Sequence, residues 1–396
     1  MKNYLRFPVI AILVAAAAQA AEQPMQEVVR DSLQFAAAQY AGLLTDVAGK
    51  AGYPRTIARG ETKMISPKDW TCGFFPGSLW YLYEATGDAK WRDAAAKQTA
   101  GLEEVQHNRG THDLGFMLYC SYGNGLRLTG DPHYRDVLLT GAASLGSRFN
   151  PAVGCIQSWD SRHGWKFPVI IDNMMNLELL LWAAQAGGAP HYREIAEKHA
   201  DTTLANHYRP DGSSYHVVDY DPATGKAVQH VTHQGAADSS AWARGQMWGL
   251  YGFTLMYRST HDRRYLAQAQ KIAAFVINHP RLPADKIPYW DFDAPNIPNA
   301  PRDASAAAVM ASALLELADY VDASTARSYV AMAEQQLRAL SSPAYRAKPG
   351  ENHNFMLLHS TGNLPANDEI DVPLNYADYY YLEALLRCKA RLERKG

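Results

Sequence analysis

Apolar residues recur at spacings of three and four along most of the chain, the repeat of a helix buried on one side. Read this way, the pattern predicts twelve helices, at 26–48, 73–86, 89–106, 114–129, 132–147, 173–187, 190–206, 241–258, 262–279, 302–320, 323–340 and 374–393. Alternating runs are few. The stretch from Tyr215 to Tyr220 is the exception and predicts a short strand or hairpin.

The connections sort these helices into pairs. Thr86-Gly87-Asp88, Thr129-Gly130-Asp131-Pro132, Gly187-Gly188-Ala189-Pro190, Thr260-His261-Asp262 and a turn near Asp322 are all tight. Gly ends one helix, and Asp or Pro opens the next. Trp91, Tyr134, Tyr192 and Tyr265 follow the first four turns at nearly the same offset, so the unit is a repeated helical hairpin. Long segments, at 49–72, 107–113, 148–172, 207–240, 280–301 and 341–373, alternate with the tight turns. Six hairpins connected in this way, with the last helix meeting the first, describe an all-α fold, a single-domain (α/α)6 barrel. A solenoid of stacked helix pairs is the rival arrangement. In the barrel, every long loop falls at the N-terminal ends of the inner helices. Their aromatic content points to a pocket at that mouth.

Composition narrows the class. Among 396 residues, 38 Lys and Arg nearly balance 40 Asp and Glu, which excludes a strongly basic nucleic-acid binder and an acidic tail. Lys2 and Arg6 precede an apolar run from Phe7 to Ala18, and Ala18-Gln19-Ala20 offers a cleavage site. Residues 1–20 therefore read as a signal peptide, 21–396 as the barrel, and the mature chain as periplasmic or secreted. The alternative is a retained anchor, but the run is short for a membrane span. No later segment has eighteen consecutive apolar residues, so no membrane span is expected in the mature chain. Cys72, Cys120, Cys155 and Cys388 are scattered without a C-x-x-C pair. That pattern favours buried free thiols over a thiolate zinc site or a disulfide framework.

Candidate chemistry concentrates in the long loops. Trp70 stands just before a helix, where its ring can stack on a sugar, whereas Phe74, Phe75 and Trp80 fit a core-facing stripe. His112-Asp113-Leu114-Gly115-Phe116 and Ile171-Asp172-Asn173-Met174-Met175-Asn176 each place an Asp at the start of an inner helix. Either Asp alone reads as an N-cap. Two on adjacent inner helices, amid loop aromatics, suggest the carboxylate pair of glycoside cleavage. The helix N-terminus favours the ionised form, whereas burial and a second carboxylate raise the pKa a general acid needs. Asp303 is a third helix-start carboxylate, so position alone does not define a catalytic group. The segment 209–248 brings His216, Gln234, Arg244 and Trp248; the last two are four apart and share a helix face. Arg244 suits a substrate carboxylate or, equally, a loop salt bridge. His230 and His233 invite a metal, but no H-E-x-x-H or matching third ligand supports one. Pro288 to Pro295 lies in a stretch with six of the 21 prolines and reads as a rigid loop wall.

The blocks Trp70–Trp80, His112–Gly125, Ile171–Glu178, Arg209–Asp219, His233–Trp248, Tyr289–Ala308 and Asn375–Tyr380 together resemble the unsaturated glucuronyl hydrolases of glycoside hydrolase family 88. The resemblance is collinear over nearly all of the mature chain. It implies an (α/α)6 barrel and exo-action on lyase products, removing a Δ4,5-unsaturated glucuronic acid from the non-reducing end. It also implies Asp172 as acid/base, Asp113 as its essential partner, and His216, Gln234, Arg244 and Trp248 as substrate contacts. Trp70 and His112 are looser members. Cys72 stands where the resemblance implies a small polar residue, a departure in the rim. The implied reaction hydrates a vinyl ether and needs no metal and no cofactor. The expected partner is an unsaturated oligosaccharide, bound by a monomer or weak dimer. Unsaturated rhamnogalacturonyl hydrolases, cytoplasmic sugar 2-epimerases with histidine bases, and a non-catalytic carbohydrate-binding barrel are the competing expectations. Glu351 to Asp378 contains no Lys or Arg, which favours unsulfated substrates.

Overall fold

Aspartates fix where four outer helices begin. Asp88, Asp131, Asp262 and Asp322 each turn a carboxylate back onto the free amides of the first helical turn, at 2.8–3.1 Å. Left-handed residues end the preceding inner helices: Gly87 and Gly130 in two turns, and His261 in a third. The computed structural model describes residues 23–160 and 163–394, so the signal peptide expected over 1–20 lies outside them.

Twelve α-helices among the described residues follow the predicted order. They are α1 Met25–Asp46, α2 Phe74–Thr86, α3 Ala89–Ala100, α4 Asn124–Thr129, α5 Pro132–Gly146, α6 Asn173–Gln185, α7 His191–Asn206, α8 Ala243–Thr260, α9 Arg263–Ile277, α10 Ala304–Leu317, α11 Ala323–Ser341 and α12 Asn375–Glu393. The even-numbered helices are the inner ones. Each packs on the next, the π-helical turn Gly115–Gly123 that leads into α4 making the contact to α6, and α12 packs on α2, which closes the ring of an (α/α)6 barrel. Burial separates the two rings. In α10 every residue but Glu316 is buried, as a helix enclosed on all sides requires. In α9 burial is confined to a stripe of Tyr265, Leu266, Gln268, Ala269, Ile272, Ala273 and Val276. The main hydrophobic core runs from Met25 to Cys388, and two small clusters flank the sheet of the long loops, one around Phe167 and Tyr220 and one around Trp165 and Val217. All four cysteines are buried, and Cys72, Cys120 and Cys155 are free thiols.

Two departures from the sequence reading occur at the mouth. The predicted helix 114–129 begins as a π-helix, Gly115–Gly123, and becomes α-helical only in α4. The long loops also carry more strand than the single run expected: β1 Tyr53–Ala58, β2 Glu61–Ile65, β3 Phe149–Asn150, β4 Cys155–Ile156, β5 Pro168–Ile170, β6 Val217–Tyr220, β7 Ala227–Val231, β8 Ser360–Asn363 and β9 Asp368–Val372. These strands span two to six residues and several are bulged, so no alternating pattern accumulates. Three of them form an antiparallel sheet in the order β5-β6-β7, which shapes the site.

The opposite end of the barrel is chemically closed. A cavity of about 520 Å³ there is lined by Tyr119, Trp182, Glu84, Glu178 and Glu383 among others. Each of the three glutamates has an arginine partner: Arg127, Arg258 and Arg387 respectively.

Candidate active site

Three carboxyls stand at the starts of inner helices, and their hydrogen bonds distinguish them. Asp303 is a cap. It accepts the Ser305 N–H at 3.1 Å and the Ser305 hydroxyl at 2.5 Å, and pairs with Arg244 at 2.9 Å. Asp172 stands before α6 in the equivalent place but caps nothing. Its backbone is already helical (φ −56°, ψ −27°), and its Oδ2 is buried without a hydrogen-bond partner. Asp113 accepts the Thr111 hydroxyl at 2.7 Å through Oδ2, and its Oδ1 lies 3.3 Å from His112 Nε2. A buried carboxyl oxygen with no partner is costly, so it marks a group kept for something other than the fold.

The sheet places the residue facing Asp172. Ile170 pairs with Val217 across β5 and β6, and the Ile171 N–H donates to the His216 carbonyl at 3.0 Å. Asp172 and His216 leave the sheet side by side, with Asp172 Oδ2 3.6 Å from His216 Nε2. The backbone N–H groups of His233 and Gln234 both donate to His216 Nδ1 at 3.1 Å. Nδ1 is thereby an acceptor, and the ring proton sits on Nε2, facing the carboxyl.

Burial pushes Asp172 up to about 7; Arg244 opposes the shift and Asp113 adds to it. The Trp248 indole N–H lies near enough to offset part of this without reaching hydrogen-bond geometry. Burial, with His233 and Arg244 adding to it, holds His216 well below the usual histidine range, so the ring is neutral at pH 7. Burial also lowers His112, against the pull of Asp113. The first three of these groups differ in what they can donate: Asp172 a titrating proton, His216 a fixed N–H, Trp248 an indole N–H.

The remaining expected residues divide into floor and scaffold. Trp248 is buried against Phe116 (5.2 Å between ring centres) and Tyr380 (5.5 Å). Trp70 is half-buried at the rim, 5.4 Å from Phe116 and 5.1 Å from Tyr376. Arg244 is enclosed. Besides Asp303 it donates to the carbonyls of Thr361 (2.6 Å) and Gly362 (2.7 Å), between the rings of Trp242 and Tyr376. Gln234 donates to the same Gly362 carbonyl at 3.0 Å. Of the two readings of Arg244, the geometry displays the loop salt bridge. Both residues hold the β8–β9 hairpin against the mouth.

The sequence reading missed an aromatic series beside His216. Trp242 lies 4.6 Å from that ring, and Trp159 lies 5.2 Å from His233. Trp159 in turn stacks on Trp165 at 6.2 Å and 18°. Trp159 and Trp165 in the 148–172 loop and Trp242 two residues before Arg244 were its signal, and the fold, not a spacing, brings them together. His230 packs on Tyr215 and His233 faces Trp159 and His163, so they share no site. No group of three potential metal ligands occurs among the described residues.

A helical barrel whose mouth holds two nearly buried acids under aromatic rings defines a carbohydrate-cleaving enzyme. The comparisons agree: residues 53–351 match Glycosyl Hydrolase Family 88. The chain belongs to this family and is a glycoside hydrolase. It is 48% identical over 343 residues to the unsaturated glucuronyl hydrolase of Formosa agariphila, covering 86% of this chain and 85% of the relative. It is 33% identical to an unsaturated chondroitin disaccharide hydrolase of Streptococcus agalactiae, covering 82% of each. The crystal structure of an unsaturated glucuronyl hydrolase specific for heparin superposes with a TM-score of 0.89 at 51% identity, covering 93% of this chain and 98% of that one.

Proposed function

We propose that this enzyme removes the Δ4,5-unsaturated glucuronic acid from the non-reducing end of unsulfated, lyase-generated glycosaminoglycan disaccharides, with Asp172 as acid and then base. The substrate ring is a vinyl ether. Protonation at C4 by Asp172 leaves positive charge shared between C5 and the ring oxygen. Asp172, now ionised, takes a proton from water as its oxygen bonds to C5. The resulting hemiketal opens and releases the rest of the saccharide. One carboxyl cycling around pH 7 serves both steps, which is the requirement for general acid–base work near neutrality. Asp113 adds negative charge beside Asp172 and steadies the developing cation. The neutral His216 N–H and the Trp248 N–H orient the sugar, and Trp70 and Trp159 offer ring faces to it. His112 backs Asp113.

The observation that carries this reading is the buried, partnerless Asp172 Oδ2 titrating near neutrality. Asp172→Asn should abolish the loss of the substrate's ultraviolet absorbance, by at least about 10³-fold, while its circular dichroism matches the parent. Turnover at the parent rate would remove Asp172 from the reaction. The same reading takes the mature protein as a periplasmic or secreted monomer or weak dimer. No helix among the described residues is long and apolar enough to cross a membrane.

A further inference from the structure

We infer that Asn176 is a positioning residue that sets the separation of Asp113 and Asp172 by tying the two inner helices together at their first turns. The inference rests on the reading of Asp172 given above. Asn176 lies one turn into α6, four residues after Asp172, and is fully buried. Its Oδ1 accepts the Phe116 N–H at 2.9 Å, three residues after Asp113. That amide is one of the free donors at the start of the π-helix, where no side chain of the π-helix's own first turn caps it. A neighbouring helix therefore supplies the cap. Its Nδ2 approaches the Asp172 carbonyl at 3.5 Å, so the amide bridges both acid-bearing segments.

The contact is close because Gly115 permits it. A Cβ at Gly115 would meet Asn176 Cα at 2.6 Å and Oδ1 at 2.8 Å. The backbone of the π-helix thus rests directly on the first turn of α6. Phe116, whose amide is held, carries the ring that packs on Trp70 and Trp248, so one hydrogen bond fixes both the acid pair and the floor beneath the substrate. The groups facing Asp172 come from several elements: Asp113, itself paired with His112, before the π-helix, His216 before β6, and Arg244 and Trp248 on α8. Only the Asp113 contribution depends on the spacing of α6 and the π-helix. Opening that spacing removes negative charge from beside Asp172, which lets Asp172 ionise at lower pH.

The test is a pH profile of kcat/KM for Asn176→Ala, Asn176→Asp and Gly115→Ala against the parent. Asn176→Ala should lower kcat roughly ten- to a hundredfold, with KM within threefold, and move the alkaline limb down by about half a pH unit or more. Asn176→Asp retains an acceptor oxygen and should recover most of kcat with a limb no lower than the parent's. Gly115→Ala, which presses the same interface apart, should move the limb in the direction of Asn176→Ala and decides the case where that variant does not fold. An unmoved limb in folded Asn176→Ala or Gly115→Ala, or equal kcat losses for the Ala and Asp variants, overturns the positioning role. A parent profile with no alkaline limb, or an active Asp172→Asn, instead overturns the underlying reading of Asp172.

Discussion

At the scale of single residues, Asp172 opposes the fold that holds it. Its carboxyl titrates near 7 when folded, against about 4 in an unfolded chain, so the folded state binds the proton more tightly. The stability linked to that proton is complete below about pH 4 and is lost as pH rises through 7. Above that, the ionised buried carboxyl costs on the order of 2–4 kcal/mol. Asp378 is pushed in the same direction, to about 7, but it is present in parent and variant alike and drops out of the difference. Asp172→Asn should therefore stabilise the protein against urea at pH 8 and leave it nearly unchanged at pH 4. An equal gain at both pH values would show that the carboxyl is not the strained group. Asp303, satisfied by Ser305 and Arg244, shows the same residue type at the same helical position without that conflict.

At the scale of elements, the hairpin of β8 and β9 is the mouth's most dependent part. It is held from outside: by Arg244 and Gln234 on its carbonyls, and by Arg55 paired with Glu369 at 2.6 Å. A lysine in place of Arg244 has no planar fork and cannot serve Asp303 and two carbonyls at once. Arg244→Lys should speed hydrogen exchange of the 360–372 amides about tenfold or more and raise KM, while α10 exchange stays as in the parent. Unchanged exchange in the hairpin would refute this dependence. The same element shows where sequence reading stops. The caps at Asp88, Asp131, Asp262 and Asp322 were legible because each carboxylate binds amides two or three residues away. Asp113 and Asp172 were legible as candidates, but what sets Asp172 apart from Asp303, its lack of a partner, is not local. The hairpin's ties to Arg244 reach across 117 and 118 residues, and Glu369 and Asp371 take positive φ angles that their residue types do not advertise. The π-helix arises where Gly115 meets Asn176, a contact between residues 61 positions apart that leaves no periodic trace.

At the scale of the whole molecule, several cations of the mouth loops are already engaged. Arg55 is paired with both Glu369 and Asp69, and Lys63 lies 3.5 Å from Glu369. Arg209 donates to the carbonyls of Ser214, Asp238 and Ser240, and Arg302 pairs with Asp285. Arg148 pairs with Asp160. Arg209, Arg244 and Arg302 are thus all engaged by the fold. The β8–β9 hairpin instead shows water two acids, Asp368 and Asp371, each 59% exposed. A sulfate on the second sugar would meet negative charge at this hairpin. The enzyme should favour unsulfated over 6-sulfated unsaturated disaccharides by about tenfold or more in kcat/KM. Because the opposing charges are exposed, raising ionic strength from about 0.05 to about 0.5 M should narrow that gap. Equal or faster turnover of the sulfated disaccharide would mean that one of these arginines leaves its partner when substrate arrives, and that the mouth rearranges on binding.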